Sequence, residues 1–151
     1  MIKYVDLLYS ITKKLRDNYP NASIKIDKKK SEKEIENGLF YVIVSPLKSD
    51  TSFNLRKKLL NIYIEYVEED KTQESSLNKI DELTELFDEN ISVNNRVLPI
   101  LNKEPKDTDD NVTLMFTLNY FDSKAEPIPE TPDATYDALM GILKLNVIDK
   151  D

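Results

Sequence analysis

Apolar and polar positions follow two different periods along this chain, and each change of period marks an element. Tyr4, Leu8, Ile11 and Leu15 recur at spacings of four, three and four, while Lys13, Lys14, Arg16 and Asp17 fall mostly on the opposite side. That spacing predicts an amphipathic helix of about four turns. It ends at Asn18-Tyr19-Pro20, because proline cannot continue the backbone ladder and restricts the residue before it. Ser23 to Asp27 alternates Ile24 and Ile26 with polar neighbours and predicts a short strand. Lys28 to Asn37, with a run of three lysines followed by Glu32, Glu34 and Glu36, reads as a solvated loop or a short helical turn.

Leu39 to Val44 is an uninterrupted apolar and β-branched run, too short for a helix, and predicts a central strand covered on both faces. From Leu59 the period becomes two. Leu60, Ile62, Ile64 and Tyr66 point one way, and Asn61, Tyr63, Glu65 and Glu68 mainly the other, which describes a long strand with one wet face. After the polar link Glu69 to Ser76, with Ser75 or Ser76 as N-cap, Leu77, Ile80, Leu83, Leu86 and Phe87 mark a second amphipathic helix. Ile91 to Val93, Asn94-Asn95 and Val97 to Leu101 read as a hairpin, since asparagine tolerates the positive φ of a two-residue turn. Pro99 cannot donate to a ladder and places the second arm at an edge or a bulge. Asn111 to Phe121 is the clearest strand, with Val112, Leu114, Phe116, Leu118 and Tyr120 on one face.

The core is then complete, and the rest of the chain changes character. Pro127, Pro129 and Pro132 lie within six residues and favour an extended, semi-rigid linker. Ala134 to Val147 is apolar again, and reads either as a short helix around Tyr136 to Leu143 or as an extended arm. Such a tail either packs on its own domain or docks on a neighbouring chain. The organisation expected is one α/β domain over residues 1–124, a Pro-rich linker over 125–133 and a C-terminal arm over 134–151.

Composition narrows the chemistry more than it narrows the fold. In 151 residues there is no His, Cys or Trp, and glycine occurs only as Gly38 and Gly141. Histidine is the usual general base and metal ligand and cysteine the strongest side-chain nucleophile, so Ser/His, Cys/His and most zinc constellations are out of reach. Isolated glycines cannot form a phosphate-cradling loop. A formal charge of −7 opposes attraction to nucleic acid or to an anionic membrane. No stretch approaches the roughly 20 apolar residues that span a bilayer, and the N-terminus lacks a basic-then-apolar leader, so a protein folded in a cytoplasm is expected.

Three constellations invite a functional reading, and each has a plainer one. Asp107, Asp109, Asp110 and Asn111 have the alternation of a calcium loop, but Val112 and Leu118 stand where that loop needs glycine and a bidentate glutamate, so a hairpin loop accounts for them. Carboxylate pairs for acid-base work are inevitable by chance among 28 acids, and none is marked by its surroundings. Tyr41, Tyr66 and Tyr120 could stack on bases, yet they occupy strand positions the core requires. A wet strand face, a proline-marked edge and a tethered apolar tail instead supply the parts for strand addition or head-to-tail association.

The order of these elements resembles a known family. The helix ending in Asn18-Tyr19-Pro20 is followed by the strand Ile24 to Asp27, the run Phe40-Tyr41-Val42-Ile43-Val44 and the strand Asn61-Ile62-Tyr63-Ile64-Glu65-Tyr66. The acidic helix Ile80 to Asp88, the hairpin Ile91 to Leu98 and the strand Val112 to Tyr120 complete the order. Residues 1 to 121, with a short arm near Leu143-Lys144-Leu145-Asn146-Val147, are similar to the small tail terminator proteins of Gram-positive phages, defective prophages and phage-tail-like bacteriocins.

The resemblance implies an α/β (α+β) fold with a mixed, mostly antiparallel sheet flanked by two amphipathic helices. It also implies a homo-oligomeric ring, usually a hexamer, on the head-proximal end of the tail tube, where it stops polymerisation and meets the head connector, sheath or collar. No catalysis, cofactor, metal, specific nucleic acid or membrane enters this role. In a ring of six the charge would sum to six times −7, or −42, and an acidic lumen would let DNA slide without sticking. The interface positions expected are Tyr63 and Glu65 on the wet strand face and Leu143, Leu145 and Val147 on the arm. The alternatives are a head-completion or connector protein, and a small cytoplasmic enzyme working through Asp, Glu or Tyr.

Overall fold

The computed structural model describes residues 1–27 and 35–123. Their elements run α1 (Tyr4–Asn18), β1 (Ser23–Lys25), β2 (Leu39–Ser52), β3 (Leu55–Val67), α2 (Gln73–Leu86), β4 (Asn90–Val93), β5 (Arg96–Asp107) and β6 (Val112–Ser123). The fold is α+β, as expected. At the start of α1 the Asp6 carboxylate accepts the Lys3 backbone N–H at 2.8 Å, satisfying one of the donors that a helix start leaves open. At its end the Tyr19 N–H reaches the Leu15 carbonyl at 2.7 Å, just before Pro20 stops the ladder. Of the predicted stripe Ile11 and Leu15 are fully enclosed while Tyr4 and Leu8 are half-buried, and the buried face is turned to include Leu7.

The strands form one sheet in the order β1-β2-β3-β6-β5-β4. Only β1 and β2 are parallel; the other neighbours pair antiparallel. Helix α1 packs against β1 and β2 near one edge and also against β4 at the other. In a flat sheet β2 and β4 would lie roughly 19 Å apart, wider than the about 10 Å of a helix. The sheet therefore curls around α1. Helix α2 covers β6 and β5 on the same face.

The concave face holds the core. Alternation along β3 and β6 sends Leu60, Ile62 and Ile64 and their partners Leu118, Phe116 and Leu114 toward the helices. Phe87, just past α2, stacks on Phe116 with ring centroids 5.5 Å apart. Each such fully buried side chain contributes about 1.5–3 kcal/mol relative to exposure. Phe40 and Val42 of β2 join the same cluster, whereas Leu39 and Tyr41 are buried outside it, so this part of β2 is covered on both faces as its unbroken apolar run predicts.

Several details differ from the pattern reading. The central strands are β3 and β6, not β2, which is second from one edge. β2 also runs on through Pro46 to Ser52, eight residues beyond Val44, and β3 starts at Leu55 rather than Leu59. Pro46 is tolerated because β1 pairs only as far as Tyr41 and because the ladder is irregular between Pro46 and Lys48, leaving Leu47 as an extra residue. Pro99 marks neither an edge strand nor that irregularity. β5 lies between β6 and β4, and Pro99 falls where β5 changes partner, pairing with Asn90 just before the β6 ladder begins at Ile100. A second bulge follows, between Leu101 and Glu104, with Asn102 at φ 51°. Helix α2 is capped by Thr72 rather than Ser75 or Ser76. Thr72 Oγ1 accepts the Ser75 N–H at 3.1 Å while Ser75 Oγ accepts the Thr72 N–H at 3.0 Å, a reciprocal box that fixes the start earlier. Leu77 consequently faces out, 51% exposed.

Candidate assembly surface

The distal half of the β2–β3 hairpin extends the ladder beyond the core. There β2 pairs with β3 from Lys48 opposite Leu59 through Asp50 opposite Lys57 to Ser52 opposite Leu55, and β3 pairs with β6 on its other side as far as Leu55 opposite Ser123. Phe53-Asn54 makes the turn, and Phe53 has φ 52°, a left-handed conformation uncommon for a bulky side chain. The same residue is 96% exposed. Leu47 and Leu55 on the arm are also exposed, as is Phe121 of β6, which stands opposite Lys57 with the ammonium 5.7 Å from its ring centre.

A buried ionic clasp ties β3 to β6 within this extension. Lys58 and Asp122 have side chains only 5% and 2% exposed, with Nζ 3.4 Å from the carboxylate. Asp122 Oδ2 also accepts the Ile2 N–H at 2.8 Å, and Lys58 donates to the Ile2 carbonyl at 2.6 Å, so the first residues are tied to the arm's root. Arg96 approaches the other carboxylate oxygen at 3.4 Å and donates to the Phe121 carbonyl at 2.7 Å. The Lys58 ammonium further lies 5.0 Å from the ring centre of Tyr4. Burial, reinforced by the Asp122 charge, pushes the neighbouring Tyr120 phenol up from 10.0 to about 12.

On the convex face the helices provide no cover. Tyr63 lies there between Ile43 and Met115, and Glu65 between Tyr41 and Thr113, all in direct cross-strand register. Both are half-buried. The two predicted interface positions thus share one face and one strand, continuous along β3 with Leu59, Lys57 and Leu55 of the arm. Leu143, Leu145 and Val147 lie outside the described residues.

The opposite end of the same ladder carries a cleft of about 220 Å³, between the C-terminus of α1, β2, β3 and α2. Tyr19 and Phe40 meet at 4.8 Å, and so do Phe40 and Tyr66. The Lys79 ammonium is 4.6 Å from the Tyr19 ring centre and 4.7 Å from that of Tyr66, and pairs with Glu82 at 2.9 Å. Tyr19 Oη donates to the same carboxylate at 3.0 Å. The hydrogen bond from Lys79 holds the Glu82 carboxyl below its ordinary value, while burial raises both phenols. At neutral pH the phenols stay protonated and the wall is fixed. Gly38, at φ +87°, lets the chain pass this wall, since a methyl group there would lie 2.7 Å from the Tyr66 ring.

The acidic run Asp107 to Asn111 closes the β5–β6 hairpin, as its plainer reading required. Asp107 pairs with Lys71, whose ammonium also donates to the Thr108 carbonyl, and Thr108 and Asn111 bond each other across the turn. Among the described residues no three acidic side chains converge to hold a metal. The pattern reading passed over the arm because residues 45–58 are mostly polar and contain a proline; the signal present was Phe53-Asn54 between runs that place Asp50 and Lys57 equidistant from the turn.

This is an α+β domain whose distinctive features are an exposed hairpin tip, a half-buried convex sheet face and an aromatic cleft. The model of the phage tail terminator protein family matches residues 6–130, and the chain belongs to that family. The family is structural, and this chain has a structural role in a phage tail. No curated protein matches the sequence. A solved chain is similar at 15% identity and a TM-score of 0.46, over 85% of this chain and 100% of its own, a likeness that adds nothing to the assignment.

Proposed function

We propose that this chain is the subunit of a hexameric ring that caps the head-proximal end of a tail tube. There it stops polymerisation and presents a surface to the head connector, collar or sheath. The observation carrying this reading is the family match over residues 6–130. The convex face of β3, where Tyr63 and Glu65 lie half-buried, and the exposed tip of the β2–β3 hairpin supply surfaces for it. Tyr63 and Glu65 take part in subunit or tube contacts, and the segment bearing Leu143, Leu145 and Val147 forms an arm, beyond a linker at 125–133, that reaches a neighbour. Assembly takes place in the host cytoplasm, and the negative formal charge keeps DNA from sticking to the ring.

Light scattering after size exclusion tests the reading, on the chain alone and with polymerising tube protein. A ring of fixed mass, or short tubes that stop growing, is the expected result. A monomer that neither binds tubes nor limits their length refutes it. Truncation after Pro132 tests the arm separately, and a fully assembled ring without it refutes the arm's role.

A further inference from the structure

We infer that Phe53 at the tip of the β2–β3 hairpin seats in the cleft of a second copy of this chain, against Tyr19, Pro20 and Ala22, and that this contact joins neighbours head to tail. The inference rests on the ring reading above and specifies its joint.

Four observations converge on a second copy as the occupant. Phe53 gains nothing from its own fold, being 96% exposed, and it is held at φ 52°, a conformation that costs of order 1 kcal/mol for a bulky residue. An exposed aromatic on a strained tip is explained by what it touches elsewhere. The cleft has the size for it, since about 220 Å³ exceeds the roughly 150 Å³ that admits a benzene ring. The half-buried Tyr19 ring offers an edge or face for contact, over a floor closed by Phe40 and Tyr66. The charges are complementary: Lys48, Arg56 and Lys57 outnumber Asp50 on the arm, while Glu68 and Glu82 outnumber Lys79 around the cleft.

The fourth observation is placement. Phe40 pairs with Tyr66 at one end of the β2–β3 ladder, and Ser52 pairs with Leu55 at the other. Twelve residues of β2 separate Phe40 from Ser52, roughly 40 Å of strand. A chain cannot fill its own cleft with its own tip across that distance. Two different patches at opposite ends of one rigid element make a heterologous contact, the kind that closes into rings when the rotation allows.

The absence of native cysteine makes the joint directly testable in the full-length chain. One copy carries Phe53→Cys and another Asn21→Cys, an exposed residue on the cleft rim, and the two are mixed with a short bismaleimide. The mixture is expected to give a covalent one-to-one pair, and the doubly substituted chain a ladder ending at the ring's copy number. Phe53→Asn, which suits the positive φ, is expected to keep the fold and weaken self-association about tenfold or more, as loss of a buried aromatic anchor does. Asn21→Trp should block the cleft with the same result, and mixing these two variants should yield dimers that grow no further.

A wild-type ring without the cross-linked pair overturns the joint and leaves the ring reading standing. A Phe53→Asn ring that forms normally but no longer binds tube ends assigns the tip to the tube protein and also overturns it. A wild-type chain that stays monomeric with and without tubes overturns both readings.

Discussion

The β2–β3 ladder has two halves built on one hydrogen-bonding pattern, and they spend their side chains differently. From Leu39 to Val44, paired with Ile62 to Val67, the inward positions are Phe40, Val42, Val44, Ile62, Ile64 and Tyr66, all in the buried core except Val44, which packs against it. From Lys48 to Leu59 the same pairing continues with lysines, an aspartate, serines and an exposed phenylalanine. The near half obtains its stability from burial. The far half is held by β6 alongside β3 and by the Lys58–Asp122 pair between them, and gives its tip to the outside. A strand pair can thus serve packing and reach at once, provided something pins the boundary.

Breaking the pin is the largest perturbation. Asp122→Ala leaves the Lys58 ammonium buried without its carboxylate and frees the Ile2 N–H, and is expected to cost about 3–5 kcal/mol in a denaturant titration. Replacing Asp122 and Lys58 together by Leu and Met should recover much of that loss, because no charge is then stranded.

Next comes the near half. Gly38→Ala adds a methyl group 2.7 Å from the Tyr66 ring at φ +87°, and a loss of about 1–3 kcal/mol is expected by the same titration. In the far half, Phe53→Asn should leave stability unchanged or raise it by up to about 1 kcal/mol, since it relieves backbone strain and removes no buried contact. Equal losses from Gly38→Ala and Phe53→Asn would erase the contrast between the halves.

The smallest effects are at the extremes of pH. Tyr120 has a folded pKa raised from 10.0 to about 12, so its contribution is intact below pH 10 and is lost as pH rises toward 12. Tyr120→Phe should flatten that alkaline slope, with tyrosinate absorbance reporting one late-titrating phenol fewer among eight. Glu82 shifts the other way: its folded pKa lies below 4.5, so the stability it supplies is present above that value and fades as pH falls through the folded one. Glu82→Gln is expected to remove this acid-side contribution and leave the alkaline one of Tyr120 in place.

Legibility in the sequence followed periodicity. The α1 face, the alternation of β3 and β6 and the Asn94-Asn95 turn were all visible, because each repeats or uses a residue whose backbone preference is strong; the turn shows φ 47° and 64°. The body of the fold and the placement of Tyr63 and Glu65 on one wet face came from that signal. The arm did not, since its residues bury little and carry no apolar period. Nor did the cleft: Tyr19, Phe40, Tyr66 and Lys79 come from four elements, and only the curled sheet and its helices bring them together. The Lys58–Asp122 pair was equally hidden, two charges among 49 that chance to share one enclosed site.

Leu47, the unpaired residue in β2, has a consequence for the size of any closed assembly. Deleting it would make Pro46 and Lys48 consecutive opposite Leu60 and Leu59, preserving every other cross-strand partner while removing the local bend. The tip would keep its chemistry and point elsewhere. In the ring proposed above, the angle between the two contact points of each copy dictates how many complete the circumference, and one amino acid in mid-strand would then gauge its diameter.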